Sequence, residues 1–186
     1  MELRASNAGF SDHLGRSLTA QNGRIVSSAD DDVGAYIFST QTLPSCPTTY
    51  CVGKVSSNGC LPVISSVGSA SVSSDGQFLI TATNLERQIW GFMAFGTASA
   101  SIPFIGGTLC VSAPHQRLQP QYTGGLSGGG QFCSGSLSVS MRDRIQSGSY
   151  PTLSAGSTIY AQFFYRDVAD PFMMGLSDAI EFLINP

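Results

Sequence analysis

The sequence predicts an all-β protein, an antiparallel β-sandwich of the jelly-roll or Ig-like kind with about 9–10 short strands and little helix. Short apolar runs rich in β-branched and aromatic residues recur along the chain at near-regular spacing. Gly, Pro, Asn and Ser separate these runs, and these residue types favour turns. Several runs also alternate apolar and polar side chains, which is typical of strands that bury one face.

The most hydrophobic stretch, residues 77–113, is predicted to form the centre of the sheet. Three runs within it, at 78–83, 88–95 and 108–112, have strand composition. Residues 84–87 interrupt the first two runs, and a segment of Gly, Ala, Ser and Pro interrupts the last two. This pattern predicts three adjacent antiparallel strands.

The chain before this stretch divides at Pro44 and Pro47, which mark a boundary. Residues 1–44 are predicted to be an N-terminal arm or extension, with a short helix or no regular structure and one strand at 33–40. Residues 45–186 are predicted to form the β-sandwich domain.

Further strands are predicted on both sides of the central stretch. Runs at 50–55 and 61–67 flank an Asn-Gly turn at 58–59, which predicts a hairpin. Residues 113–132 are too rich in glycine for regular structure and are predicted to form a long exposed loop.

The C-terminal third gives the second strong sheet signal. Residues 135–141 alternate apolar residues with serines, which predicts a strand with its apolar side chains inward, followed by one helical turn at 141–146. Residues 158–167 and 178–184 are the last two predicted strands.

Composition limits the function classes. Charged residues make up 11% of the chain, against about 25% in an average soluble domain. This low charge, with abundant Gly and Ser, is typical of a secreted or extracellular β protein. The formal net charge of −3 disfavours nucleic acid, because no basic stripe is present to replace phosphate counterions. No run of 18 apolar residues exists, so no membrane span is predicted.

The chain contains five cysteines, at positions 46, 51, 60, 110 and 133. Their spacing does not resemble the short paired spacings of a zinc site, so disulfides in an oxidising compartment are the favoured interpretation. One arrangement closes a short loop with Cys51–Cys60 and clamps the glycine-rich segment with Cys110–Cys133, although four cysteines already permit three pairings. The odd number leaves one thiol, which permits a disulfide-linked dimer.

Several motifs resemble a domain of no established activity at the C-terminal end of large secreted proteins of planctomycete and myxobacterial type. The matching pieces are TTYCVGKVSSNGCLPVIS (48–65), GFMAFG (91–96), PFIGGTLCV (103–111), the glycine run ending at Cys133, YAQFFYRD (160–167) and LSDAIEFLINP (176–186). The resemblance implies export, disulfides and β structure over residues 48–186. Members often carry a cysteine before the final proline, where this chain has Asn185, which implies that Cys46 is the unpaired thiol.

One candidate catalytic group matches the nucleophile elbow in its letters. Gly-Leu-Ser-Gly-Gly at 125–129 provides Ser127, and His115 with Asp143 would complete a triad. The elbow requires a strand before the serine and a helix after it, and here a glycine run surrounds it. A flexible loop and a solvated loop histidine after Pro114 are therefore the favoured alternatives.

Acidic residues provide candidate ligands for Ca²⁺, in two groups. Asp30 and Asp32 belong to a run that begins like a calcium loop, but the spacing to a glutamate that an EF-hand needs is absent. Asp167, Asp170 and Asp178 lie close in sequence near strand ends, where loops of a sandwich converge. A solvated charge run is the alternative for the first group.

Aromatic residues of the predicted strands provide a candidate stacking surface for sugar rings. They are Trp90, Phe92, Tyr160, Phe164 and Tyr165. Trp90 and Tyr160, with Arg166, are the predicted binding residues, although packing in the core explains such aromatics more often. Arg166 is also predicted to form an ordinary salt link with Asp167.

The favoured function is a secreted accessory or binding module for an extracellular polysaccharide or protein, with the signal peptide not present in this chain. One alternative is a small Ca²⁺-dependent hydrolase of esters or lactones, N-acyl-homoserine lactones included, in which the ion polarises the carbonyl and His115 or a carboxylate activates water. Another is a structural piece of a cell-surface protein.

Overall fold

The structure is a computed structural model that describes residues 14–21, 24–29, 35–39, 46–127 and 131–186. The chain divides into two compact units, Met1–Pro44 and Ser45–Pro186. The described residues are mostly antiparallel β-strand with one short helix, so the predicted all-β fold class is confirmed.

The first unit contains a three-stranded antiparallel sheet in the order β1 (Leu14–Gln21), β2 (Arg24–Ala29) and β3 (Ala35–Ser39). The strand expected at 33–40 corresponds to β3. Two further strands replace the expected helix or irregular arm. The Asn-Gly dipeptide at 22–23, between the paired residues Gln21 and Arg24, is a strong hairpin signal that the sequence interpretation overlooked.

The second unit contains eleven strands and the helix α1 in its described residues. The elements are β4 (Thr48–Tyr50), β5 (Val63–Gly68), β6 (Phe78–Leu85), β7 (Trp90–Gly96), β8 (Ser99–Phe104), β9 (Gly107–Val111), β10 (Gln116–Arg117), β11 (Gln121–Tyr122), β12 (Gly135–Ser140), α1 (Met141–Gln146), β13 (Thr158–Arg166) and β14 (Met174–Leu183).

Two sheets of this unit pack face to face. The six-stranded sheet has the order β10-β7-β13-β14-β4, with β11 also pairing with β7, and the three-stranded sheet has the order β12-β6-β5. Phe78 of β6 and Phe182 of β14 meet edge to face across the core, with ring centroids 4.9 Å apart. The expected inward alternation of β12 is confirmed, because Leu137 and Val139 are buried whereas Ser136 and Ser138 are exposed.

The central stretch does not form three adjacent strands as expected. β6 lies in the three-stranded sheet and β7 in the six-stranded sheet, while β9 pairs with β8 in a separate hairpin. Asn84 and Gln88 have positive φ angles of 55° and 54°. These two left-handed residues turn the chain between the strands, so that it crosses from one sheet to the other instead of folding back beside itself.

The hairpin predicted around residues 58–59 is also absent. The turn itself forms, because the amide of Gly59 donates to the carbonyl of Ser56 at 2.9 Å, but β4 and β5 belong to different sheets. The long loop expected at 113–132 contains the short strands β10 and β11, which pair with β7. The two strands expected near the C-terminus correspond to β13 and β14.

The β8–β9 hairpin covers part of the outer face of the six-stranded sheet. Ile105 and Leu109 pack there against a small buried cluster of Ala94, Phe164 and Leu176. Gln162 is fully buried beneath β9 and forms two hydrogen bonds with it. Its side chain accepts from the amide of Cys110 and donates to the carbonyl of Thr108. The six-stranded sheet is therefore buried on both faces over this region.

Two disulfides are present, and neither matches the expected pairing. Cys51 is bonded to Cys110 and Cys60 to Cys133, with Cα separations of 6.3 and 5.3 Å. The expected pairing assumed a hairpin between Cys51 and Cys60, and the chain there instead connects β4 and β5, which belong to different sheets. Cys46 is a free, exposed thiol, as the resemblance implied.

The only described helix, α1, is six residues long. No helix among the described residues is long and apolar enough to cross a membrane.

Candidate ligand-binding face

The outer face of β7 carries Trp90, Phe92 and Ala94, because successive side chains of a strand point to opposite faces. Gly91, Met93 and Phe95 point the other way, into the core between the sheets. Trp90 lies beyond the cover of the β8–β9 hairpin and is 58% exposed.

Tyr122 lies beside Trp90 on the neighbouring strand. β11 pairs with β7 so that Tyr122 is directly opposite Trp90, and the two rings contact edge to face at 5.6 Å. Tyr122 is 50% exposed. The two rings together form a solvent-exposed aromatic surface on the six-stranded sheet.

Arg166 lies on the other side of Trp90 from Tyr122. Tyr165 of β13 pairs with Gly91 of β7, and the antiparallel register brings the next residue, Arg166, opposite Trp90 on the outer face. Arg166 is exposed. We call Tyr122, Trp90 and Arg166, which lie on three neighbouring strands, the aromatic row.

The salt link expected between Arg166 and Asp167 is absent among the described residues. Adjacent residues at a strand end point in different directions, and Asp167 is buried whereas Arg166 is exposed. Both carboxylate oxygens of Asp167 accept hydrogen bonds from Ser57 instead. Arg166 consequently keeps its guanidinium available to solvent.

A second pair of rings lies beside the aromatic row on the same face. Phe92 and Phe164 pair across β7 and β13 and stack in parallel, with centroids 5.2 Å apart. The guanidinium of Arg117, on β10, lies over the Phe92 ring at 5.4 Å. This packing fixes the outer face on which Trp90 lies, and it places a second exposed arginine near the aromatic row.

Tyr160 is on the same face but at the other end of the sheet. It lies six residues before Arg166 on β13, which corresponds to about 20 Å along an extended strand. Its ring contacts Tyr50 edge to face at 5.8 Å, and buried Gln162 and Phe164 lie between it and Arg166. The structure therefore brings Trp90 and Arg166 together but not Tyr160.

The buried lysine of the outer layer is fully occupied by acceptors. The ammonium of Lys54 donates to Asp170 Oδ1 at 2.7 Å, to the carbonyl of Ile105 at 2.8 Å and to that of Met174 at 2.9 Å. It also lies 5.2 Å from the centre of the Phe172 ring. The hydrogen bond from Lys54 holds the pKa of Asp170 below its ordinary value. These contacts hold β8–β9 and the loop before β14 together.

Two buried carboxylates hold the turn at residues 56–59. Glu86 accepts from the hydroxyl of Ser56 at 2.6 Å and from the side-chain amide of Asn58 at 2.9 Å. Asp167 accepts from the amide of Ser57 at 2.8 Å and from its hydroxyl at 2.5 Å. These donors replace the water that the carboxylates lose on burial, so the pairs stabilise the fold.

The ring of Tyr165 is buried beneath this turn and packs directly on the backbone of Gly175, where any β-carbon would collide with the ring carbon Cζ. The hydroxyl of Tyr165 has no hydrogen-bond partner among the described residues. Burial first, and then the negative charge of Asp167, raises the pKa of Tyr165. The phenol therefore stays neutral at ordinary pH.

The five candidate calcium ligands are placed as follows. Asp30 and Asp32 lie outside the described residues. Asp170 is paired with Lys54, Asp167 is bonded to Ser57, and Asp178 Oδ1 accepts from the amide of Ile64 at 2.8 Å. Within the described ranges, no group of three or more acidic, histidine or cysteine side chains is arranged to hold a metal ion.

His115 and Ser127 lie near opposite ends of β7. His115 precedes β10, whose Gln116 pairs with Phe95, whereas the hydroxyl of Ser127 accepts a hydrogen bond from Gln88 at 2.9 Å, just before β7 begins. The length of β7 separates these two positions by about 20 Å. A serine and its base must lie within hydrogen-bonding distance to act as a pair.

Asp143 lies elsewhere again. It is exposed on α1, which packs against β6 of the three-stranded sheet. The structure thus brings none of the three predicted catalytic residues together.

Sequence interpretation missed two residues of this face, Tyr122 and Arg117. Both lie in the segment that its glycine content assigned to a loop. Two-residue strands are too short to show alternation. The available signal was only a polar-basic dipeptide at 116–117 and a polar-aromatic dipeptide at 121–122, and each of them begins one or two positions after a proline.

The comparisons with known proteins add no relative to this description. No protein-family model, no curated protein and no solved structure matches the chain.

Proposed function

We propose that this protein is an extracellular binding module that holds a polysaccharide on the aromatic row. The observation that carries the proposal is the exposure of Trp90 and Tyr122, adjacent on one sheet face and at least half accessible to solvent. Aromatic rings are enriched at binding surfaces because they supply a large apolar area with few rotatable bonds. A sugar ring has an apolar C–H face that stacks on such a ring, while its hydroxyls remain solvated.

The rest of the chain supports an extracellular setting. Two disulfides are stable where the environment is oxidising, as it is outside the cell. Hydroxyl-rich surfaces with few charges are typical of extracellular β proteins, and this chain has 11% charged residues.

The test uses the fluorescence of Trp90, which is the single tryptophan of the chain. Titration with a panel of soluble polysaccharides should give saturable quenching or a spectral shift for at least one of them. Trp90→Ala, followed by calorimetry because the fluorophore is lost, should weaken binding at least tenfold, as expected for a central aromatic contact. Tyr122→Ala should give a smaller loss.

Val67→Ala provides a matched control. Val67 is 65% exposed on β5, in the other sheet, so its truncation should leave affinity unchanged. The proposal is wrong if no polysaccharide binds, or if Trp90→Ala and Val67→Ala bind equally well. Repeating the titration with added Ca²⁺ and with EDTA tests the calcium hypothesis in the same experiment.

A further inference from the structure

The positive charges of the second unit are few, and most of them have a partner or lie away from the aromatic row. They are Lys54, Arg87, Arg117, Arg142, Arg144 and Arg166. Lys54 is buried and paired with Asp170, Arg142 pairs with Asp75 at 3.4 Å, and Arg87 donates to the carbonyl of Leu126 at 2.6 Å. Arg144 lies on α1. Arg117 and Arg166 remain, and both are exposed on the outer face of the six-stranded sheet.

These two arginines lie on the strands on either side of β7. Arg166 is on β13, one residue beyond the Tyr165–Gly91 pair, so continuation of the antiparallel register places it across from Trp90. Arg117 is on β10, across the other edge of β7, with its guanidinium over Phe92 two residues along. Neither has an ion pair among the described residues. Two guanidinium groups without ion pairs, on the same sheet face as the exposed Trp90 ring, match a ligand that carries negative charge.

The neighbouring carboxylates do not face this surface. Asp167 and Glu86 are buried and bonded to the turn at 56–58, and Asp170 is held by Lys54. The accessible charge around the ring is therefore positive, although the whole chain has a net charge of −3. A positive patch is complementary to an anionic partner.

The neighbouring strand positions of Trp90 and Arg166 favour a carboxylate bonded directly to the sugar ring. Neighbouring strands are about 4.8 Å apart, so the Arg166 side chain can reach the edge of a ring stacked on Trp90. The carboxylate of a hexuronic acid is attached to its ring carbon without a spacer and lies at that edge. The planar guanidinium binds a planar carboxylate through two parallel hydrogen bonds.

We propose that the aromatic row, with Arg117, binds polysaccharides of hexuronic acids, the ring stacking on Trp90 and the carboxylates bonding to the two arginines. This inference rests on the proposed function and specifies its ligand class.

The experiment compares the same polysaccharide with charged and with neutral carboxyl groups. Oligogalacturonate and the same oligomers as methyl esters are titrated into the full chain, with Trp90 fluorescence as the signal. The acid form should bind at least tenfold more tightly at low salt, because a hydrogen bond between charged groups contributes more than a neutral one. Added salt should narrow that ratio. Arg166→Gln should lower the affinity for the acid form about tenfold and change the affinity for the ester little.

Arg144→Gln is the control, since it removes the same charge from α1 and should leave both affinities unchanged. Equal binding of acid and ester overturns the hexuronate inference while the binding function stands. Tighter binding of dextran sulfate than of oligogalacturonate also overturns it, in favour of sulfate recognition. If neither oligomer binds but a neutral glucan quenches the Trp90 fluorescence, the hexuronate inference alone is overturned. If no polysaccharide changes the fluorescence, the proposed function is overturned as well.

Discussion

The carboxyl group of Asp178 is half-buried on β14, and its Oδ1 bonds to the amide of Ile64 on β5, in the other sheet. Loss of solvent raises the pKa of Asp178 above its ordinary value of 3.8, against the opposing effect of the Ile64 hydrogen bond. A group with a raised pKa holds its proton more tightly in the folded state than in the unfolded one. Its contribution to stability is therefore greatest below pH 3.8 and is lost as the pH rises through the folded pKa.

Asp178→Asn should remove this pH dependence, because the amide oxygen can still accept from Ile64 and no charge is buried. We expect the free energy of unfolding of the variant, relative to the wild type, to increase between about pH 3.5 and pH 7 in urea denaturation. Asp143→Asn, at an exposed position on α1, should show no such trend. A relative stability that is flat or falls with pH would contradict the assignment of burial as the dominant effect.

Single binding residues are predicted with mixed success, and the reason is the burial of β7 and β13 on both faces. The sequence points to Trp90 and Arg166, and they do share an exposed row. It points to Tyr160 on the same grounds, but that residue lies about 20 Å away. Where both faces of a strand are apolar, alternation no longer identifies the face that solvent reaches. The position of the β8–β9 hairpin decides it, and that is tertiary information.

The disulfides show the same limit for whole elements. The cysteine count predicts at most two bridges, and local spacing favours Cys51–Cys60, whereas the fold joins residues 59 and 73 positions apart. Closing a loop of this length raises the free energy of the unfolded chain by about 4 kcal/mol through lost conformational entropy, which is more than closing the short loop would. The observed pairing is therefore the more stabilising one, and it could not be predicted without knowing that β4 and β5 belong to different sheets.

Replacing both Cys60 and Cys133 by serine should lower the free energy of unfolding by about 2–5 kcal/mol, as expected for loss of a long-range disulfide. Cys46→Ser is the control, since that thiol is free and exposed and its loss should change stability by less than about 0.5 kcal/mol. Urea denaturation of the three proteins measures both effects. Equal midpoints for the double serine variant and the control would show that the second bridge does not constrain the unfolded chain.

For the molecule as a whole, the fold class follows from composition and spacing, because each short apolar run between turn residues needs another sheet to cover it. The sequence does not show which sheet each run joins. The sequence predicts that β6 and β7 are neighbours, but they belong to different sheets, since two left-handed residues, Asn84 and Gln88, redirect the chain. Long-range pairing of this kind depends on contacts that no window of adjacent residues contains.

The second unit should fold without the first. Its main hydrophobic cluster is built between Ile64 and Ile184, and both disulfides also lie within residues 45–186. A domain near 150 residues buries roughly 70% of the surface that its unfolded chain exposes, which is enough for independent stability. A fragment of residues 45–186 should therefore unfold in one cooperative transition in urea.

The same fragment should also retain the ligand affinity of the full chain, because Trp90, Tyr122 and both flanking arginines belong to it. Circular dichroism follows its unfolding, and Trp90 fluorescence follows its binding. A fragment that folds but no longer binds would assign part of the ligand contact to residues 1–44. A fragment that unfolds gradually would show that the sandwich needs those residues for its core to be stable, since the described cluster alone would then bury too little surface.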